Sequence, residues 1–248
     1  MMKKALFLAL ATAVGSGSAL AQDYQWDASL GYTDFENDSA LSAGITYHLD
    51  RVKTAGHPLA EAAFLERSSN LSLGYVTFDD ADADAIGVAG EFYFDQLYLS
   101  GGYTAAEIGG VDVDTISARI GWMLADGFRL AAGIDRVDAD VPNVDARNDI
   151  AIEAKYVTKM EGGTALNLQA SVTLLDDPID DELFEVRGDY YFNPAFSVGA
   201  GVSIADDDTN YGIGARYFFT PTFSGGLLYE TANDGDDDVI SAALTLRF

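Results

Sequence analysis

The sequence offers few side chains that could do nucleophilic or acid–base chemistry. It contains two histidines, His48 and His57, and no cysteine. A histidine can activate a serine when a carboxylate orients its ring, but the spacing of serines and aspartates around His48 gives no support for such a triad. The lack of cysteine excludes disulfides and thiolate metal sites. We therefore expect no catalytic residue, no cofactor and no dedicated metal site.

Two acidic runs, 79–84 and 234–238, could bind divalent cations. Carboxylates supply the hard oxygen ligands that calcium prefers, but neither run has the spaced glycine and terminal glutamate of a helix–loop–helix calcium site. The runs are interpreted either as a solvated acidic surface or as weak divalent binding sites.

Segments in which apolar and polar residues alternate, which is the pattern of a β-strand, repeat from Tyr24 onward. In 166–174, Leu166, Leu168 and Leu174 fall on one face and Asn167 and Gln169 on the other. Most of these segments are close to the ~9–11 residues that a tilted strand needs to cross a bilayer. We count fourteen, with twelve also possible: 24–33, 41–49, 70–78, 86–94, 97–105, 115–124, 128–137, 149–159, 164–175, 183–192, 196–204, 210–219, 223–230 and 238–248.

The connections between these segments come in two alternating kinds. Short turns such as 95–96 and 193–195 take turns with longer, acidic connections such as 33–40, 106–114 and 176–182. This alternation is typical of an all-β transmembrane up-and-down antiparallel barrel with its short turns in the periplasm. An even strand number would place both chain ends there. A secreted barrel or sandwich is the alternative, but the glycines and charges of the polar face would pack poorly as a dry core.

The N-terminus predicts export. Lys3 and Lys4 precede an apolar run, and Ala19 and Ala21 form the small-x-small pattern of a signal peptide ending at residue 21. The mature chain, 22–248, is predicted to be one barrel domain. It carries 12 basic and 40 acidic side chains, a net charge of −28. Nucleic acid is not an expected partner, because phosphate binding needs a basic surface.

The last strand, 239–248, places Ile240, Leu244 and Phe248 on one face, and the chain stops on Phe248. Outer-membrane barrels of Gram-negative bacteria resemble this closely, since their last strand commonly ends in Phe. The resemblance implies that Phe248 is a signal read by the barrel-insertion machinery. It also implies outer-membrane lipid and lipopolysaccharide around the barrel. Weak divalent binding by the acidic connections would bridge lipopolysaccharide phosphates.

The polar strand face is predicted to line the lumen, and its charges are nearly balanced. Either the basic side chains pair with carboxylates and brace the barrel, or they set ion selectivity, and the two roles are compatible. Four of them, Arg119, Lys155, Arg187 and Arg216, are predicted to form a basic wall near mid-height. The predicted pore-lining residues are Arg119, Arg129, Lys155, Arg187, Arg216, Arg247, Glu91, Asp135, Glu153, Glu185, Asp189 and Glu230, with Asp27 also on this face.

One connection on the short-turn side is unusually long. It covers 50–69, and 58–67 is predicted to be a short helix with Pro58 at its first position. The segment is interpreted either as a periplasmic cap beneath the barrel, which we favour, or as a partial plug in the lumen. Residues 58–70, together with the strand 71–78 that follows, resemble a segment of the general porin family of Gram-negative bacteria.

The porin resemblance implies an outer-membrane channel for passive diffusion of small hydrophilic solutes and ions. The acidic connections at the outer mouth should concentrate cations, so we expect a modest cation preference. A closed structural or adhesive barrel without an open pore is the alternative. The permeating solute and the oligomeric state stay open.

Overall fold

The computed structural model describes residues 22–142, 144–176, 181–206, 208–232 and 238–248. The predicted signal peptide, 1–21, lies outside the described residues, as does 234–237 of the second acidic run. The described residues contain no helix that is long and apolar enough to cross a membrane.

The described residues form fourteen antiparallel strands, one short α-helix and a 3₁₀ turn at Glu161–Gly163. The helix, α1, is Ala62–Leu65 and lies between β2 and β3, so it is shorter than the predicted 58–67. The strands, β1 to β14 in chain order, are Tyr24–Phe35, Asp38–Val52, Asn70–Phe78, Ala83–Phe94, Leu97–Ile108, Val111–Ala125, Phe128–Ala139, Arg147–Lys159, Ala165–Leu175, Asp181–Asn193, Phe196–Ala205, Asp208–Thr220, Phe223–Ala232 and Asp238–Arg247.

The strands form one closed barrel in which each strand pairs with its neighbours in the sequence. Closure is made by β14 against β1, with Arg247 opposite Asp27 and Val239 opposite Phe35. Closure removes the two sheet edges, so the strand N–H and C=O groups find partners within the barrel. This confirms the prediction of a fourteen-stranded up-and-down barrel.

The outer face of the barrel is apolar and exposed. Leu30, Ile213 and Leu227 are exposed by 64, 57 and 65%, although a soluble protein would bury side chains of this size. Within each of these strands, the residues that alternate with the exposed ones are smaller or polar and face inward. Lipid must therefore be outside and the polar face inside.

Some strands are longer than the sequence predicted. β2 and β6 each have 15 residues, and the predicted loop 106–114 is a tight hairpin between Ile108 and Val111. Its two central residues, Gly109 and Gly110, have φ values of +58° and +77°, as a type I′ turn requires. The predicted loop 33–40 is likewise strand on both sides of 36–37. The prediction of long loops at these two places was wrong, because a polar sequence can also form a strand outside lipid.

Candidate functional site

The interior of the barrel is the candidate site, and its lower end is filled. We call the end with both chain termini the lower end and the opposite end the upper end. Inward side chains at the lower end are exposed by less than 9% on strands all around the barrel. These buried residues include Tyr24, His48, Asn70, Tyr98, Met123, Val157, Asn167, Tyr191, Ser197, Phe218, Ser224 and Arg247.

The segment 53–69, which joins β2 to β3, supplies much of the packing there. Its Glu61 is 5% exposed and reaches two strands. One carboxylate oxygen lies 2.7 Å from Lys155 Nζ on β8, and the other accepts a hydrogen bond of 2.8 Å from the Tyr191 hydroxyl on β10. These contacts lie inside the barrel, so the interpretation of the segment as a cap beneath it does not hold.

The backbone of Leu59 forms hydrogen bonds with two other parts of the barrel. Its N–H donates a hydrogen bond of 3.1 Å to the carbonyl of Pro194, in the turn between β10 and β11. Its own carbonyl accepts a hydrogen bond of 3.4 Å from Arg247 on β14. Arg247 also lies over the Tyr24 ring, 3.7 Å from its centroid. The backbone of the segment is thus bonded to the turn between β10 and β11 and to the closing strand β14.

Phe64, on α1, makes the apolar part of the contact. It packs with the buried side chains of Met123 on β6 and Val157 on β8. Two cations flank its ring, with Lys155 Nζ 4.8 Å and the Arg129 guanidinium 5.7 Å from the centroid. A cation held over a ring away from water gains up to about 2 kcal/mol. Arg129 and Lys155, two of the predicted pore-lining residues, thus contact the segment.

Arg67 fastens the end of the segment to two turns. Its guanidinium donates hydrogen bonds of 3.1 Å to the carbonyl of Asp95, between β4 and β5, and to the carboxylate of Asp126, between β6 and β7. Arg67 has a φ of +51°, which non-glycine residues rarely adopt. The chain therefore turns sharply here, between α1 and the start of β3.

His48 forms an arrangement that the sequence did not reveal. Its Nε2 lies 2.9 Å from a carboxylate oxygen of Asp27, and its Nδ1 lies 2.9 Å from the hydroxyl of Ser68. The other Asp27 oxygen accepts a 2.6 Å hydrogen bond from Arg247. Ser68 is only 7% exposed, and the arginine holds the carboxylate that would have to stabilise a protonated histidine. The cluster ties the segment to β1, β2 and β14.

Above the segment, Arg119 on β6 joins two carboxylates at mid-height. It bonds Asp135 on β7 through both terminal nitrogens, at 2.6 and 2.9 Å, and Glu153 on β8 through Nε at 2.9 Å. Such two-pronged pairs are the strongest class of charged hydrogen bond. These three predicted pore-lining residues therefore brace three adjacent strands.

We expect Arg119→Ala to lower the free energy of unfolding by about 3 kcal/mol, the lower end of the range for breaking a buried ion pair. Equilibrium urea unfolding in lipid vesicles measures this. Arg187→Ala is the matched control, since Arg187 is 43% exposed and makes a single 3.4 Å contact with Asp189, worth less than about 1 kcal/mol. Equal losses in the two variants would contradict the bracing role.

The other predicted pore-lining residues fall into two groups. Glu91 is in the lower lumen, where it accepts hydrogen bonds from Tyr98 and Asn70 and lies 3.4 Å from Arg129. Glu185 and Glu230 lie on the inner face nearer the upper ends of β10 and β13, and Arg216 lies on the inner face of β12. Arg119, Lys155 and Arg187 of the predicted basic wall each form an ion pair with a carboxylate. A role of these residues in ion selectivity stays a prediction.

Phe248, the predicted insertion signal, also helps to close the barrel. Its carbonyl accepts hydrogen bonds of 2.9 Å from the N–H groups of Gln25 and Trp26, and its N–H donates one of 3.1 Å to the Trp26 carbonyl. Its ring stacks on Trp26 at 6.3 Å and is 55% exposed. The terminal aromatic therefore faces lipid at the lower end of the barrel.

We expect Phe248→Ala to slow assembly several-fold in vesicles that contain the barrel-insertion machinery, and much less in vesicles without it. Phe192→Ala is the control, because Phe192 is an outward aromatic near the lower end of β10 and is 53% exposed. The appearance of heat-resistant, fast-migrating protein on gels measures assembly. If the two variants slow equally, Phe248 acts only as an interfacial aromatic.

The closed barrel, its lipid-facing outer wall and its charged interior define an outer-membrane β-barrel of the porin class. The family model described as "Putative general bacterial porin" matches residues 1–146 and 133–248. The chain belongs to this porin family and is an outer-membrane protein of Gram-negative bacteria.

Solved structures agree with this assignment. Outer membrane protein Omp33 of Acinetobacter baumannii has 26% identity and a TM-score of 0.76, over 91% of this chain and 99% of that one. The KdgM porin, solved in complex with disordered oligogalacturonate, has 7% identity and a TM-score of 0.50 over 90 and 99% of the two chains. A triple mutant of Rhodopseudomonas blastica porin has 14% identity and a TM-score of 0.50 over 92 and 100%. The last two share the fold alone. No curated protein matches the chain.

Proposed function

We propose that this porin lets small hydrophilic solutes and ions diffuse passively across the outer membrane, and that the segment 53–69 limits the flow. The middle lumen supports this, because small residues face inward there on β1 to β3. Ser29, Gly31, Ser42, Gly44 and Gly74 lie on neighbouring strands. A fourteen-stranded barrel lies between the eight strands that fill with side chains and the sixteen that leave a channel.

The observation that carries the proposal is the contrast between these two parts of the interior. On β1 to β3 the middle lumen is lined by small residues, whereas the lower end is packed with side chains from the barrel and the segment. Flow through the barrel therefore depends on how completely the segment fills its lower end. Swelling of protein-containing liposomes in small sugars tests the proposal, since it measures solute entry directly.

A closed structural barrel is the second candidate, and the buried contacts of Glu61 favour it. An ion pair and a hydrogen bond inside the lower lumen hold this side chain between β8 and β10. A segment fixed in this way could close the channel permanently. In that case the intact protein would admit no sugar and carry no current.

We expect the intact protein to show a modest cation preference at low salt. The acidic upper end concentrates cations, and the Debye length falls from about 10 Å at 0.1 M to 3 Å at 1 M salt. The preference should therefore fade as the salt concentration rises. The zero-current potential across a KCl gradient in planar bilayers measures it.

Two results of that recording would contradict the cation preference. Firm anion selectivity would mean that the basic interior, and not the acidic mouth, controls ion entry. Complete absence of current would favour the closed barrel.

A further inference from the structure

The upper ends of the strands project beyond the lipid-facing band. On the outer face of β1, Tyr32 is followed two residues on by Asp34, and on β4 and β6 the carboxylates Asp84 and Asp114 precede Ile86 and Ile116. Tyrosine side chains lie at the same boundary. The hydroxyl of Tyr103, for example, donates a 2.6 Å hydrogen bond to the carboxylate of Asp114. Unpaired carboxylates facing lipid are costly. We call the strand ends from this boundary to the hairpins the collar.

Inside the collar the polarity is reversed. Between β14 and β7 around the barrel, six strands place large apolar residues inward: Val239, Phe35, Phe78, Ile108, Val113 and Val137. The rings of Phe35 and Phe78 stack at 5.8 Å, and Ala40, on the strand between them, is only 4% exposed. The collar thus resembles a water-soluble barrel, with carboxylates outside and an apolar wall inside.

A carboxylate adjoins this apolar wall on the β13 side, whereas on the β8 side Arg147, which is paired with Asp149, lies opposite Val137. Val239 lies opposite Phe35 on one side and opposite Glu230 on the other. Directly opposed side chains are about 5 Å apart, so Glu230 and Phe35 lie about 10 Å from each other. Glu185 lies on the same polar side of the lumen, where Arg187 pairs with Asp189. Among the ion pairs of the described residues, none includes Glu230 or Glu185, but Arg187 also interacts electrostatically with Glu230.

A channel for water and ions does not need an apolar wall. Barrels that bind apolar ligands, in contrast, have apolar side chains on their inner face. The adjoining carboxylates and the net charge of the chain select a positive charge. We propose that the collar binds small organic cations that carry an aromatic or alkyl body. The body lies on Phe35, Phe78 and Val239, and the ammonium group faces Glu230. The site is above the segment 53–69, so binding does not depend on whether solutes pass through.

Isothermal titration of the detergent-solubilised full barrel with benzyltrimethylammonium tests the proposal. It should bind at least about tenfold more tightly than tetramethylammonium, which lacks the apolar body. It should also bind more tightly than benzenesulfonate, which has the ring but the opposite charge. Equal binding of benzyltrimethylammonium and either reference ion would overturn the proposal.

Variants locate the site. Phe78→Ser and Glu230→Gln should each weaken benzyltrimethylammonium binding by about tenfold. Phe184→Ser, at an outward phenylalanine near the upper end of β10 that is 40% exposed, should leave binding unchanged. An equal loss in the Phe184 variant would place binding on the outer surface and refute the proposal. If Phe78→Ser does not fold, Val113→Thr keeps the strand shape and should weaken binding about threefold.

Discussion

Deleting residues 58–67 is expected to raise the swelling rate of protein-containing liposomes in small sugars on the order of tenfold, since a fourteen-stranded barrel with its filling removed approaches the width of a channel. The deletion removes Leu59, Glu61 and Phe64, which fill the lower lumen in the structure. The increase should be largest for the smallest sugar and should decline with sugar size. Liposome swelling in a sugar series measures both effects.

A matched replacement separates loss of packing from shortening of the connection. Exchanging 58–67 for a Gly/Ser stretch of the same length keeps the connection but removes every side-chain contact. It should swell liposomes as fast as the deletion does. Slow swelling in both variants would mean that the segment does not limit the flow. Fast swelling of the intact protein would mean the same.

Replacing Glu61 by Ala is expected to release the segment without removing it. The change leaves Lys155 and Tyr191 without their partner inside the barrel, and breaking a buried pair costs about 3–5 kcal/mol. A loss of this size raises the undocked population more than about a hundredfold. Longer and more frequent openings in planar bilayers should result, together with faster proteolysis within 53–69.

Two controls give this prediction its specificity. Glu66→Ala removes a carboxylate that contacts His57 and Lys53 within the same connection, and such a partly exposed pair contributes less than about 1 kcal/mol. It should behave like the unmodified protein. Adding Lys155→Met to Glu61→Ala should restore part of the docking, because no unpaired charge then remains buried. Similar behaviour of the Glu61 and Glu66 variants would show that the buried pair does not hold the segment.

The sequence was sufficient to predict the barrel, because strand alternation is a local signal. Each segment, such as 166–174, shows its two faces within ten residues, and the order of neighbouring strands follows from short connections. The pairing of the last strand with the first then follows from closure alone. Strand length was less predictable, because acidic residues outside lipid look like loop residues in the sequence. At Gly109-Gly110, for example, a tight hairpin joins two strands where a long loop was predicted.

The place of the segment 53–69 could not be read from the sequence. Its contacts are remote, and Glu61 and Tyr191 are 130 positions apart. Alternation identifies Lys155 and Arg129 as inward, but it cannot say whether water or another part of the chain meets them. The one available signal was the composition of the segment. Leu59, Phe64 and Leu65 carry large apolar side chains, which a solvent-exposed connection does not need. The Ser68–His48–Asp27 cluster escaped prediction for the same reason, since it depends on where the segment lies.

Hydrogen exchange of the intact protein in lipid vesicles tests the central claim most directly, because it reports where the segment lies in the membrane-bound protein. Leu59 N–H is bonded to Pro194, and Leu65 N–H to Glu61. With the segment packed in the lower lumen, these amides should exchange almost as slowly as those of β8 and β10. Exchange of both amides as fast as an exposed turn would contradict the account, since the segment would then lie outside the barrel.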